Sequence, residues 1–116
     1  MPTLPSLQFS HNVNDSQNAI EIDYHNIKKA SLILRSLNHK LRQQLIKLIS
    51  ENAKMTVTEI YVKLRLEQSV ASQHLAILRK ADIVSTTREG KFIYYSVNKQ
   101  RIKSIHQFVK DLLNKN

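Results

Sequence analysis

The sequence predicts a mainly α-helical domain that carries one small two-stranded β-hairpin, in the order α-α-α-α-β-β-α. After residue 20, the 116-residue chain contains no proline and one glycine, Gly90, so little interrupts helix formation. Apolar residues recur at a helical period through most of this stretch. On either side of Glu89-Gly90, two segments rich in β-branched and aromatic residues replace that pattern, which is typical of a hairpin.

Apolar spacing predicts the first two helices. Ile20, Ile27 and Leu34 fall on one side of a helix spanning 20–37. Asn38 follows directly, and because its side chain is of the type that caps helix N-termini, it is predicted to start a second helix. The apolar stripe of that second helix comprises Leu41, Leu45, Leu48 and Ile49.

A capping-box spacing and a two-sided pattern predict the next two helices. Thr56 precedes Glu59 by three residues, which predicts the start of a short third helix. After a brief connection at 65–67, a fourth helix spans 68–81, and a rotation of about 100° per residue separates its two sides. The inward side carries Val70, Ala71, Leu75, Ile77, Leu78 and Ala81, and the outward side carries Ser69, Ser72, Gln73, Ala76, Arg79 and Lys80. His74 lies towards the inward side and is predicted to be a hydrogen-bonded packing residue.

The predicted hairpin has cations at its tip. Gly90 stands where a tight turn needs a positive φ, and Arg88 and Lys91 flank the turn. After the hairpin, Asn98 is predicted to cap a last helix. The apolar stripe of this last helix comprises Ile102, Ile105, Val109, Leu112 and Leu113.

Charge is unevenly distributed along the chain. Residues 1–27 contain three acids and no Lys or Arg, so the formal +9 of the whole chain leaves +12 for residues 28–116. The segment 1–19 also holds both prolines and is predicted to be a flexible arm, with residues 20–116 forming a single domain. A domain this basic is typical of a protein that binds nucleic acid.

Composition argues against several other classes of protein. No run approaches about 18 consecutive apolar residues and no secretory signal opens the chain, so we expect no membrane span and a cytoplasmic protein. The absence of cysteine excludes disulfides, thiolate metal sites and a cysteine nucleophile. One glycine leaves no phosphate-binding glycine loop, and no Ser–His–acid or paired-carboxylate spacing stands out, so no enzyme is predicted.

Four helices, a hairpin with a basic tip and a closing helix describe a winged helix-turn-helix, whose fourth helix lies in the major groove of DNA. The polar residues near its N-terminus are predicted to meet base edges, because Gln pairs with adenine and Ser donates or accepts hydrogen bonds. The cations at its C-terminal end are predicted to contact phosphates. Those at the tip of the hairpin, which is the wing of this fold, are predicted to follow the DNA backbone or to enter the minor groove beside the site. The predicted DNA-binding residues are Gln68, Ser69, Ser72, Gln73, Arg79, Lys80, Arg88 and Lys91.

The same segments resemble the ArsR/SmtB family of bacterial and archaeal repressors. The resemblance rests first on the run 68–84, QSVASQHLAILRKADIV, which carries the family's pattern of QS, S, HL, LR, A and a closing V. It rests also on the wing, where Arg88-Glu89-Gly90-Lys91 is followed by Tyr94-Tyr95-Ser96. Residues 37–42 match the family's opening of the second helix, with Asn38 where an aspartate is more common. The resemblance spans about residues 27–113, and it implies that Gln68, Ser69, Ser72 and Gln73 face DNA.

The resemblance also implies a homodimer built by the first and last helices. The apolar stripes of these helices support it, because so small a domain can cover them only in part. A two-fold dimer presents two recognition helices one helical turn apart, which matches an inverted-repeat operator. The predicted interface residues are Ile27, Leu34, Ile105, Val109 and Leu112.

Metal sensing, which is frequent in this family, is not predicted for this chain. Thiolate sites need cysteine, and the family's other site uses both ends of the last helix. Residues 98–101 and 112–115 hold amides, cations and leucines there, which do not suit a divalent ion. We therefore predict no metal and no other cofactor, the alternative being a site across a dimer from His25 or His106. The sequence is compatible with three alternatives for the inducer: a small organic molecule, a partner protein, or no inducer at all.

These observations predict a homodimeric, sequence-specific DNA-binding regulator that represses transcription from an inverted-repeat operator. One alternative is a winged-helix module that binds nucleic acid without sequence preference or docks a protein partner. Another is a metal-responsive form of the same regulator. The small polar face of 68–81 favours the first prediction, because nonspecific binders rely more heavily on cations for phosphate contacts.

Overall fold

The protein is described by a computed structural model over residues 18–114, so the predicted arm lies outside the described residues except for 18 and 19. The elements of this range are α1 (Tyr24–Leu37), α2 (Lys40–Glu51), β1 (Met55–Thr56), α3 (Val57–Leu64), α4 (Gln68–Lys80), β2 (Val84–Glu89), β3 (Phe92–Val97) and α5 (Lys99–Leu113). The chain divides into two compact units between Ser31 and Leu32, within α1.

In the first unit, α1 begins at Tyr24 rather than at the predicted Ile20. Asp23 is the reason, because its Oδ1 accepts a hydrogen bond from the backbone N–H of Asn26 at 3.0 Å and its Oδ2 accepts one from the Asn26 side chain at 2.7 Å. A carboxylate in this position caps a helix N-terminus, so the helix starts after Asp23. Ile20 lies ahead of the cap and is 81% exposed.

In the second unit, α2 is capped by His39 rather than by the predicted Asn38. Nδ1 of His39 accepts a hydrogen bond from the backbone N–H of Leu41 at 3.1 Å. The backbone N–H of Asn38 is bonded to the carbonyls of Leu34 and Arg35. Asn38 therefore still belongs to the last turn of α1, and the next residue is the first one available to cap α2.

The third and fourth helices form a helix-turn-helix pair, as the sequence predicts. Oγ1 of Thr56 accepts a hydrogen bond from the N–H of Glu59 at 3.2 Å, and the Glu59 carboxylate accepts one from the N–H of Thr56 at 2.9 Å. This capping box starts α3. The helix ends at Leu64, and its C-cap Arg65 has a left-handed backbone (φ 57°, ψ 47°) that turns the chain towards the start of α4 at Gln68.

The predicted hairpin is present, and a third strand joins it. β2 and β3 pair antiparallel up to Glu89 and Phe92, so Gly90 and Lys91 alone form the turn. Gly90 has a φ of 65°, the positive value that a type II′ turn requires at its first central position. The short β1, which the sequence analysis missed, pairs antiparallel with the other edge of β3 and gives the order β1-β3-β2.

The core of the second unit is formed by α2, α3, α4 and the strand β2, with a contribution from α5. Its largest fully buried side chains are Leu45, Ile49, Ile60, Leu75, Leu78, Ile83 and Val84. Ile105 of α5, only 9% exposed, also packs in this core. The structure thus corrects the placement of Ile105 among the predicted interface residues, because its side chain is covered within a single chain.

Candidate nucleic-acid interface

The helix α4 presents a polar row to solvent. Its side facing the core is formed by Ala71, Leu75 and Leu78, all three fully buried. The exposed polar residues of its N-terminal half are Gln68, Ser69, Ser72 and Gln73. Within residues 18–114, none of these four side chains forms a hydrogen bond with another residue. Their donors and acceptors are therefore available to an external partner.

Ile77 lies on this exposed side, where the sequence analysis predicted an inward position. Its side chain is 42% exposed. At about 100° per residue, Ile77 is well over a quarter turn from the centre of the buried side and follows Gln73 by four residues. The polar row of α4 therefore continues into an apolar side chain.

Cations stand at the C-terminal end of α4 and at the hairpin tip. Arg79 and Lys80 are exposed in the last turn of α4, where positive charge also complements the helix dipole. Arg88 and Lys91 are exposed on either side of the hairpin turn, and Nζ of Lys91 lies 5.7 Å from the centroid of the Phe92 ring. The ion pair found in the described part of the chain involves none of these four residues, so their charges are free.

The inward-facing His74 is held by a buried arginine. Nη1 of Arg42 lies 3.1 Å from Nδ1 of His74, and because an arginine only donates, Nδ1 of His74 is the acceptor. Arg42 is 8% exposed and also donates from Nε to the carbonyl of Ser36 at 2.7 Å and from Nη2 to that of Arg35 at 3.2 Å. His39 completes the cluster, with its ring centroid 4.8 Å from that of His74. The prediction that His74 is a hydrogen-bonded packing residue is confirmed.

This cluster requires a neutral His74. Burial lowers the pKa of His74 below its ordinary value of 6.5, and the nearby His39 and Arg42 lower it further. The unfolded chain therefore takes up this proton at a higher pH than the folded chain does. Above about pH 6.5, His74 is neutral in both states and does not lower the free energy of unfolding. Below that value, the free energy of unfolding falls as the pH drops, because protonation of His74 favours the unfolded chain.

The contribution of His74 to acid sensitivity is measurable with His74→Asn, which keeps an acceptor near the place of Nδ1 but does not titrate. We expect the wild-type free energy of unfolding in urea to fall between about pH 7.5 and about pH 5.5, and that of the variant to fall less. The exposed His106 on α5 supplies the control His106→Asn, which should keep the wild-type pH dependence. Equal pH dependence in the wild type and in His74→Asn would contradict this prediction.

The remaining predicted interface residues differ in exposure. Ile27 in the first unit is 51% exposed, and Leu112 near the end of α5 is 66% exposed. Leu34 and Val109 are partly buried against the core of the second unit. In the same unit, Leu32 and Phe108 add exposed apolar surface on α1 and α5.

Two basic residues that organise this region are not among the predicted site residues. Arg42 lies in the segment 37–42 that resembles the family, and Lys54 lies outside the predicted motifs. Nζ of Lys54 lies 2.6 Å from Oε2 of Glu89 and forms a salt bridge with this acid at the hairpin tip. Neither contact has a signature in sequence spacing, because the partners are 32 and 35 residues apart along the chain.

Residues 18–114 contain neither a cluster of metal-ligating side chains nor a helix suited to a membrane. No three His, Cys, Asp or Glu side chains in this range come together as a metal site would require. No helix in the described range is both long enough and apolar enough to span a membrane.

A helix-turn-helix pair, an exposed helix with free polar side chains and a hairpin with unpaired cations together define a winged-helix DNA-binding protein. Residues 39–86 match the family model of the bacterial regulatory proteins of the arsR family. An HTH-type transcriptional regulator of Methanocaldococcus jannaschii is 35% identical over 85 residues, which cover 73% of this chain and 96% of that protein. The chain belongs to the arsR family, whose members are transcriptional regulators and not enzymes.

Solved structures of relatives share the fold. The transcriptional repressor PagR of Bacillus anthracis matches with a TM-score of 0.61 and 28% identity, over 75% of this chain and 99% of that one. The transcriptional regulator HlyU of Vibrio vulnificus matches with a TM-score of 0.58 and 31% identity, over 78% of this chain and 94% of that one. The predicted winged helix-turn-helix and the predicted family are both confirmed.

Proposed function

We propose that this regulator is a homodimer that recognises an inverted-repeat operator and represses transcription. The observation that carries the proposal is the row of four exposed polar side chains on α4, none of which is used within the described part of the chain. Small hydroxyls and amides in this position suit the reading of base edges better than the neutralisation of phosphates. This favours sequence-specific recognition over the nonspecific and protein-docking alternatives.

In the proposed complex, α4 enters the major groove with its N-terminal half against the bases. Gln68 and Gln73 pair with adenine edges, and Ser69 and Ser72 donate or accept according to the base they face. The exposed side chain of Ile77 suits contact with a thymine methyl group. Specificity then resides in α4, at about 1–3 kcal/mol for each good bidentate pair.

The cations of the interface provide affinity rather than specificity. We assign Arg79, Lys80, Arg88 and Lys91 to phosphate contacts, because each is exposed and unpaired. Release of counterions by such contacts makes binding strongly dependent on salt.

We propose a homodimer because apolar side chains on α1 and α5 are exposed in the single chain. Ile27 and Leu32 on α1 and Phe108 and Leu112 on α5 are each about half exposed or more. A two-fold dimer that covers such residues places two copies of α4 about one turn of DNA apart, or about 34 Å. The operator is then an inverted repeat with half-sites at that spacing.

Leu112→Glu is expected to dissociate this dimer. Loss of a buried leucine and insertion of two carboxylates at a two-fold interface should raise the dimer dissociation constant by at least about a hundredfold. Sedimentation velocity of the full chain measures this. The control is Val62→Glu on α3, which puts the same charge at a residue that is 63% exposed and should sediment like the wild type. A wild-type monomer, or a Leu112→Glu dimer of unchanged stability, would refute the proposed interface.

Repression is proposed because binding at a promoter is enough to block transcription and needs no further surface. The relatives include regulators of both kinds. PagR of Bacillus anthracis and SdpR of Bacillus subtilis are named as transcriptional repressors, and HlyU of Vibrio cholerae is named as an activator at 31% identity. A reporter gene behind the selected operator distinguishes the two directions.

We also propose that DNA binding needs no resident metal and does not respond to one. The chain has no cysteine, and the ends of α5 carry amides, cations and leucines. Two relatives of Pseudomonas putida are named as arsenic resistance regulators, at 27% identity each. Addition of Zn²⁺, Ni²⁺ or a chelator should leave the affinity of this protein for its operator unchanged.

Selection from random duplexes, followed by fluorescence anisotropy, tests the proposed function. At about 150 mM salt, we expect enrichment of an inverted repeat and a preference of about 10³ or more over a scrambled duplex. Equal affinity for both duplexes would show a nonspecific nucleic-acid binder. No binding to any duplex would favour a protein-docking module.

A further inference from the structure

The side chain of Lys54 crosses the small sheet of the second unit. Its Nζ lies 2.6 Å from Oε2 of Glu89, the last residue of β2, and 4.7 Å from the centroid of the Tyr94 ring on β3. Lys54 itself directly precedes β1, and the strand order is β1-β3-β2. The contact therefore spans two strand spacings, about 10 Å, with the tyrosine ring beneath the ammonium group. It joins the far strand of the hairpin to the opposite edge of the sheet.

The backbone of Lys54 is anchored to the end of α2. Its N–H donates to the carbonyl of Asn52 at 2.6 Å, and Ala53 between them adopts a left-handed conformation with φ 64°. Asn52 in turn donates from its N–H to the carbonyl of Ile49, a fully buried residue. The ammonium group thus connects the hairpin tip to a fixed point next to the core.

Glu89 is the acidic residue that needs a partner at this tip. It is the only acid between residues 84 and 98, and it follows Arg88 directly. A carboxylate without a partner would repel the phosphates that Arg88 and Lys91 are proposed to contact. Because Lys54 pairs with Glu89, the tip presents two free cations and a neutralised acid.

We propose that Lys54 is a positioning residue for DNA binding, which holds the wing against the sheet and neutralises Glu89. This proposal rests on the proposed DNA-binding function. The side chains of the pair are 46% and 51% exposed, so their contribution to folding stability is small. Their effect lies in where the wing stands and which charges it offers to DNA.

Lys54→Met tests this role, since methionine keeps the apolar stem and removes the ammonium. We expect binding of the selected duplex to weaken about tenfold at about 150 mM salt, with the melting temperature unchanged. Lys103→Met on α5 removes the same charge from another exposed lysine and should stay within about twofold of the wild type. Equal affinities for Lys54→Met and Lys103→Met would overturn the proposal.

A second substitution separates positioning from a direct phosphate contact. In Glu89→Gln the ion pair is already lost, so we expect the addition of Lys54→Met to this variant to change the affinity by less than about threefold. A further loss of about tenfold on that addition would show that Lys54 itself contacts DNA, and the proposal would fail.

Amide hydrogen exchange of the free protein tests the tether without DNA. In Lys54→Met, the amides at the tip of β2 and β3 should exchange several-fold faster, and those of α4 should not change. Unchanged exchange at the tip would overturn the positioning role. Faster exchange at the tip of a protein that binds no duplex would refute the proposed function while supporting the tether, so the two failures are distinguishable.

Discussion

Replacing Ser72 and Gln73 together by glutamate is expected to weaken binding of the selected duplex by at least about a hundredfold. Both side chains are exposed in the middle of the polar row of α4 and form no hydrogen bond within the described part of the chain. The fold should therefore be retained, because no packed or bonded group is lost. In the major groove, by contrast, two carboxylates lose the base contacts and meet the negative potential of the DNA.

The control for this variant carries the same change of charge elsewhere. Gln44→Glu on α2 combined with Gln100→Glu on α5 alters two exposed amides, and screening at about 150 mM salt limits their effect on DNA binding to less than about tenfold. Anisotropy titrations with the selected and scrambled duplexes give the affinities, and circular dichroism gives the stability. An operator affinity of the Ser72→Glu/Gln73→Glu protein equal to that of the control would remove α4 from the interface.

Arg42→Met is expected to cost the largest share of stability, about 3 kcal/mol. The guanidinium group is almost completely buried and donates to the carbonyls of Arg35 and Ser36 as well as to His74. Those two carbonyls lie in the last turn of α1, where a helix leaves its acceptors without partners of its own. Methionine fills similar space but leaves the Ser36 carbonyl and Nδ1 of His74 without this donor, and the Arg35 carbonyl keeps only its bond from the N–H of Asn38.

The matched control is Arg35→Met, which removes an exposed arginine from the same part of the second unit. Its free energy of unfolding should change by less than about 0.5 kcal/mol. Arg42→Lys should lie between the two, because an ammonium group keeps the charge but does not reach all three acceptors with the geometry of a planar guanidinium. Urea unfolding at neutral pH measures these differences. Similar midpoints for Arg42→Met and Arg35→Met would show that the three hydrogen bonds contribute little.

Most of the fold could be predicted because its signals are local. Thr56 and Glu59 are three residues apart and form their capping box with each other. Gly90 carries the positive φ that its turn requires. The buried side of α4 follows from a helical period, except for Ile77, which is apolar and predicted to face inward although its angular position is outward.

The errors arose where a choice depends on neighbours in space. Asn38 and His39 are both able to cap a helix, and the hydrogen bonds that end α1 decided between them. The two-residue β1 is too short to show an alternation and is defined only by its pairing with β3. Ile105 belongs to the same apolar stripe as Leu112, yet one is covered by the core and the other is not.

The candidate interface was predictable for a similar reason. Its polar side chains follow from the outward side of one helix, and two of its cations follow from their places beside a single glycine. All eight predicted DNA-binding residues are exposed in the structure, and their contacts with DNA stay a prediction.

The sequence by itself determined the class of this protein, its family, the outward row of α4 and the basic tip of the hairpin. These features depend on periodicity, turn chemistry and charge, which act between residues a few positions apart. Only the tertiary structure decided that Arg42 donates hydrogen bonds both to the end of α1 and to His74 on α4. It also decided that the side chain of Lys54 crosses the sheet to Glu89. Those contacts join side chains that the sequence separates by up to 35 residues, so packing of the core brings them together.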